Sequence, residues 1–83
     1  MKITGEHVQA LLDSGLPQPT MVLQEGEVRL LGEQDLRSQR YAGALIVASR
    51  DALRAQLGHR ELSRRDLEEL AAGLEAAVSN LGG

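Results

Sequence analysis

The 83-residue chain has no cysteine, phenylalanine or tryptophan, a single tyrosine (Tyr41) and a single lysine (Lys2). The missing cysteines exclude disulfides, thiolate zinc sites and thiol nucleophiles together. A small domain without disulfides points to the cytoplasm rather than to secretion. The missing aromatics leave an aliphatic core and remove the stacking residues used to hold single-stranded nucleic acid. Long apolar runs are absent too: none approaches the ~20 residues that span a bilayer. The opening MKITGE lacks the apolar stretch of a signal peptide. The expectation is a soluble, cytoplasmic protein that does not engage a membrane.

Chemical motifs are equally scarce. The two histidines, His7 and His59, stand in no H-E-x-x-H arrangement, and no serine lies in a G-x-S-x-G frame. His7 borders a helix face, and His59 follows a glycine that ends a helix, where a partly positive imidazole suits the dipole. No G-x-x-x-x-G-K or G-x-G-x-x-G phosphate loop is present. The sequence therefore offers no catalytic residues, no metal ligands and no cofactor, and an enzyme would have to work through a site that no motif reveals.

What is present is a set of amphipathic elements in the order α-β-β-β-α-α. Thr4 is a helix N-cap with Glu6 in the first turn, and Val8, Leu11 and Leu12 form one apolar face. Gly15 is expected as the C′ residue, with Leu16 packing back on Leu11 in a Schellman end. Segment 16–20 (LPQPT) cannot be helical, because proline fixes φ and pushes its predecessor into extended conformations. Residues 21–24 and 28–31 flank Glu25-Gly26-Glu27 and read as a hairpin with Gly26 at positive φ; two- and three-residue loops both fit. Val28 and Leu30 should point one way and Arg29 the other. Residues 32–40 are a polar loop with at most one helical turn near Asp35-Leu36.

The run at 41–49 (YAGALIVAS) is the longest apolar stretch, and Arg40 and Arg50 bracket it. It predicts a central strand apolar on both faces. Ser49 then caps a short helix over 50–57 that docks through Leu53 and Leu57 and ends at Gly58. The last helix starts at the N-cap Ser63, with Asp66 completing a capping box and Leu62 and Leu67 forming a staple. Its stripe is Leu67, Leu70, Ala71, Leu74, Ala77, Val78 and Leu81, and Gly82-Gly83 ends it. The fold class is α+β: one small domain over residues 1–83, a three-stranded sheet made of the hairpin plus the strand at 41–49, and helices packed on it. A sheet with helices on one side leaves its other side bare. Either a partner chain covers it, or the first and last helices take opposite faces.

Charge is unevenly placed. The net charge is −3, but residues 1–36 carry −4, residues 37–65 carry +5 and residues 66–83 carry −4. All seven cations of the middle segment are arginine, the residue suited to bidentate carboxylate or phosphate contacts and to interfaces. Arg50 and Arg54 share a helix face. Arg64 and Arg65 open the last helix, where the dipole opposes positive charge. These four are the candidate partner-binding residues. The plain alternative is that the arginines pair with the acidic flanking segments.

Two functional expectations follow. The first is a small non-enzymatic protein–protein interaction module, homodimeric because a domain this small buries only about 60% of its unfolded surface and gains from a second copy. The second is a nucleic-acid-binding regulator using segment 37–65, with the helices around Gly58 forming a helix-turn-helix. The net negative charge and the Asp66, Glu68 and Glu69 carboxylates beside Arg64 and Arg65 speak against the second.

Overall fold

The computed structural model describes residues 3–58 and 60–81. The expected helix stop at Gly82-Gly83, the side chain of Leu81 and the setting of His59 lie outside the described residues. Helix α1 (Gly5–Asp13) leads into strands β1 (Thr20–Gln24) and β2 (Glu27–Leu31). A single helical turn α2 (Glu33–Leu36) and a 3-10 turn (Gln39–Tyr41) connect to strand β3 (Leu45–Ser49), and helices α3 (Arg50–Leu57) and α4 (Arg64–Leu81) complete the chain. The order α-β-β-β-α-α and the α+β class are those read from the sequence.

Local chemistry accounts for each boundary. The Thr4 hydroxyl accepts from the His7 N–H at 3.4 Å, and the His7 ring Nδ1 accepts from the Thr4 N–H at 3.0 Å, a reciprocal cap that gives His7 a structural role. Glu25 and Gly26 both have positive φ, +52° and +80°, and Gln24 pairs directly with Glu27. The hairpin loop thus has two residues with the left-handed geometry of a type I′ turn. The Ser49 hydroxyl accepts from the Ala52 N–H at 3.1 Å, and Gly58, at φ +69°, ends α3. At α4 the Ser63 N–H donates to an Asp66 carboxylate oxygen at 2.9 Å while the Asp66 N–H donates to the Ser63 hydroxyl at 3.1 Å.

The sheet order is β2-β1-β3, antiparallel throughout. This corrects the placing of the run at 41–49 as the central strand. β1 is central, and β3 is an edge that begins only at Leu45. A central strand must supply bulk to both faces. Met21 and Val22 do so, both fully buried, whereas Ala42 and Gly43 lie in the turn before β3 and contribute little volume.

Register assigns the two faces. Met21 and Leu23 share one face with Val28 and Leu30 on β2 and with Leu45 and Ala48 on β3. On this side lies the core: Val8, Leu11 and Leu12 of α1, Leu53 of α3, and Leu67, Ala71 and Val78 of α4, with Ile3. Helices α1 and α4 therefore cover the same face, which overturns the alternative that they take opposite ones. Full burial of each large side chain there contributes roughly 1.5–3 kcal/mol. Ala77, expected on the apolar stripe of α4, is exposed.

The other face carries Thr20, Val22, Gln24, Arg29, Leu31 and Ile46. β2 and β3 both run antiparallel to β1, so they are parallel to each other and their connection must cross β1. The Gln24 side-chain amide donates to the Arg40 carbonyl at 3.0 Å, which puts this crossover on the second face. On this face Val22 and Leu31 are buried, whereas Ile46 is 61% exposed.

One helix end also differs from its expected form. α1 closes at Ser14, in extended conformation with φ −61°, and not in a left-handed Schellman turn at Gly15. Leu16 is consequently exposed instead of packed on Leu11. The extended exit feeds straight into the proline segment, which a tight helical reversal would misdirect.

Candidate interaction surface

The four candidate arginines have different settings. Arg50 begins α3. Its N–H donates to the Pro19 carbonyl at 3.0 Å, and its guanidinium donates to the Ser14 carbonyl at 2.7 Å. It thereby satisfies a backbone acceptor at the end of α1 and ties that end to the start of α3. Arg54, one turn later, is half-buried and lines an open groove with Leu12, Asp13, Arg60 and Glu61.

Arg64 and Arg65 are almost fully solvated. Each approaches a carboxylate one turn ahead: Arg64 Nε lies 3.6 Å from Glu68 Oε1, and Arg65 Nε lies 3.5 Å from Glu69 Oε1. Exposed pairs of this kind contribute about 0–1 kcal/mol, and the cation-first orientation is the weaker one on a helix. The local carboxylates offset the positive charge that a nucleic-acid contact would need at this helix start. Arg64 lines a separate open groove of about 470 Å³ with Thr4, Glu6 and Glu68, so the two grooves present different arginines.

The Asp66 carboxyl titrates below the ordinary aspartate range. The backbone N–H of Ser63, then the Ser63 hydroxyl, hold its carboxyl below the ordinary aspartate value, with smaller help from Arg60 and Arg65. The displacement serves the capping box. Among the described residues no group of three or more histidine or carboxylate side chains is placed to hold a metal, and no buried side-chain polar atom lacks a partner. None of the described helices is long and apolar enough to cross a membrane.

The feature that stands out is β3. Its inner edge pairs with β1, and no other described strand pairs with its outer edge. Leu45 and Ile46, on opposite faces, are 36% and 61% exposed. The two sheet edges contrast in chemistry. β2 carries Glu27 and Arg29, joined by a 3.0 Å ion pair, whereas Leu45-Ile46-Val47-Ala48-Ser49 has no charge. Charged side chains are a common guard against strand addition, and β3 lacks them.

The chain matches no family model, no curated protein and no solved structure. Function therefore has to be argued from this surface.

Sequence reasoning treated the apolar character of the run at 41–49 as a sign of burial and missed the exposed edge. The signal available was the composition of its first half. Ala42, Gly43 and Ala44 are too small to fill two core layers, whereas Met21-Val22-Leu23 is a compact apolar triplet with full-sized side chains.

Proposed function

We propose that this protein is a small non-enzymatic protein–protein interaction module, and that it acts as a homodimer. The observation that carries the reading is the uncharged outer edge of β3, with Leu45 and Ile46 exposed on its two sides. A free strand edge presents a row of backbone donors and acceptors, and strand addition to such an edge is an established way for chains to associate. The aliphatic exposure adds a hydrophobic gain of about 25 cal/mol per Å² buried. An 83-residue domain is also of the size at which extra buried area matters most to stability.

Sedimentation equilibrium of the purified chain from about 1 to about 200 µM tests the reading, because association must strengthen with concentration. The expected result is a monomer–dimer equilibrium within that range. A single monomeric species at every concentration would remove the homodimer.

A further inference from the structure

We infer that His7 is a pH-sensitive latch on the start of α1: as a neutral imidazole it caps the helix and holds the start of α1 against α4, and on taking a proton it lets that start unwind. The latch is independent of the homodimer reading.

The hydrogen bond between residues 4 and 7 fixes the state of the ring. The Thr4 N–H donates to His7 Nδ1 at 3.0 Å. A backbone amide only donates, so Nδ1 must present its lone pair and the ring proton must sit on Nε2. A proton added at Nδ1 turns the acceptor into a second donor facing the first. The Thr4 hydroxyl, 3.4 Å from Nδ1, already accepts from the His7 N–H.

The surroundings do not compensate a charged ring. His7 lies in the first turn of α1, where the helix dipole opposes positive charge. Among the described residues no carboxylate oxygen lies within 4.0 Å of its ring nitrogens. The charged groups around the cap are Glu6 on α1 and, from α4, Arg64, Glu68 and Glu75, which line the two grooves that Thr4 borders. Glu75 is engaged by the Ile3 N–H at 2.8 Å, and Glu68 lies 3.6 Å from Arg64. Glu6 directly precedes His7, and successive helix residues do not face each other.

The segment that the latch holds is packed on α4. Ile3 is 3% exposed, and at Gly5 the helices are so close that a Cβ would lie 3.2 Å from the Glu68 side chain. This start is tied down by the Glu75 carboxylate at Ile3 and by the cap at Thr4. Protonating His7 removes the second tie, leaves the Thr4 N–H without its acceptor and loosens Ile3 and Gly5 from α4. The cap needs the neutral ring, so its stabilisation is present when His7 is neutral and is lost as falling pH charges the imidazole.

Thermal melts between about pH 8 and about pH 5, the span over which imidazoles charge, test the latch. The wild-type Tm should fall across this span by about 4–8 °C, the loss of one cap in a domain of this size. His7→Gln should stay level to within about 2 °C, because glutamine at this position of a capping box accepts from the N-cap N–H without titrating. His59→Gln should keep the wild-type fall. Imidazole nitrogen NMR of the wild type at the upper end of the span should place the ring proton on Nε2, and acidification should strip hydrogen-exchange protection from the amides at the start of α1. A level wild-type profile overturns the inference, as does a fall equally large in His7→Gln, a ring proton found on Nδ1, or a fall that leaves those amides protected.

Discussion

Val22 and Ile46 are direct cross-strand partners on the same face of the sheet, yet Val22 is fully buried and Ile46 is 61% exposed. Truncating each to alanine therefore measures which strand is central. Val22→Ala deletes two methyl groups from a site with no solvent access. At about 0.8 kcal/mol per methyl-sized group, plus a cavity term where the neighbours fail to close in, the loss is about 2–3 kcal/mol. Ile46→Ala removes three carbons, but water already covers most of them. Its cost is the edge-strand preference for a β-branched residue and a fraction of the transfer energy, about 0.5–1 kcal/mol.

For a domain of this size each kcal/mol shifts the midpoint by roughly 4–8 °C. Val22→Ala should thus melt about 8–24 °C below wild type, and Ile46→Ala only about 2–8 °C below it. Differential scanning calorimetry decides, run at low concentration so that dimer linkage does not add to the Ile46 value. Equal losses at the two positions, or a larger loss at Ile46, would refute the β2-β1-β3 order. A loss at Ile46 that grows with protein concentration would instead report the interface.

Further expectations concern the arginines, a tight glycine and a cap. Arg50→Gln should cost about 1.5–3 kcal/mol, because the part-buried Ser14 carbonyl loses a charged donor at 2.7 Å; combined Arg64→Gln and Arg65→Gln should leave Tm within a few degrees, since both pairs are solvated. Urea melts of the two variants separate these outcomes, and the reverse ranking would contradict the assigned roles. Gly5→Ala should lower Tm despite alanine's higher helix propensity, because the new Cβ would sit 3.3 Å from the Glu68 backbone nitrogen and 3.4 Å from the Leu67 carbonyl carbon of α4; a rise in Tm would show that α4 yields easily. Asp66 binds its proton less readily when folded, so the stability it supplies is present above the ordinary aspartate range and is lost as pH falls through its lowered folded value. Asp66→Asn should therefore flatten the acid limb of the Tm–pH profile, and an unchanged limb would refute the linkage.

The parts of the fold legible in the sequence are those set by interactions a few residues apart. Thr4, Ser49 and Ser63 each cap the helix that their neighbours form, because a cap needs only a hydroxyl and two or three adjacent backbone N–H groups. Gly26 required positive φ, and the turn closed around it with Glu25 also left-handed. The Schellman end at Gly15 was equally local in form, but its outcome was set by where the chain must go next. Ser14 leaves the helix in extended conformation toward Pro17, whereas Gln18, before Pro19, turns left-handed at φ +48° instead of taking the extended conformation expected of a residue that precedes proline.

Strand order is different in kind, because it depends on which apolar segments win the limited space between the helices and the crossover. β1 is bonded to β2 by the shortest turn in the chain, so the hairpin is the cheapest pairing in loop entropy. The third strand must then choose an edge of that hairpin. The β2 edge displays Glu27 and Arg29, which resist a close neighbour, and the β1 edge offers Met21, Val22 and Leu23. Segment 45–49 takes the β1 edge, and the residues 32–44 needed to reach it are spent crossing the second face. That choice buries Thr20, Met21 and Val22 of β1 and leaves β3 outermost. The same aliphatic run that suggested the middle of the sheet is thus exposed by the topology that shields its neighbour. An uncharged, exposed edge is then a consequence of how the sheet is assembled.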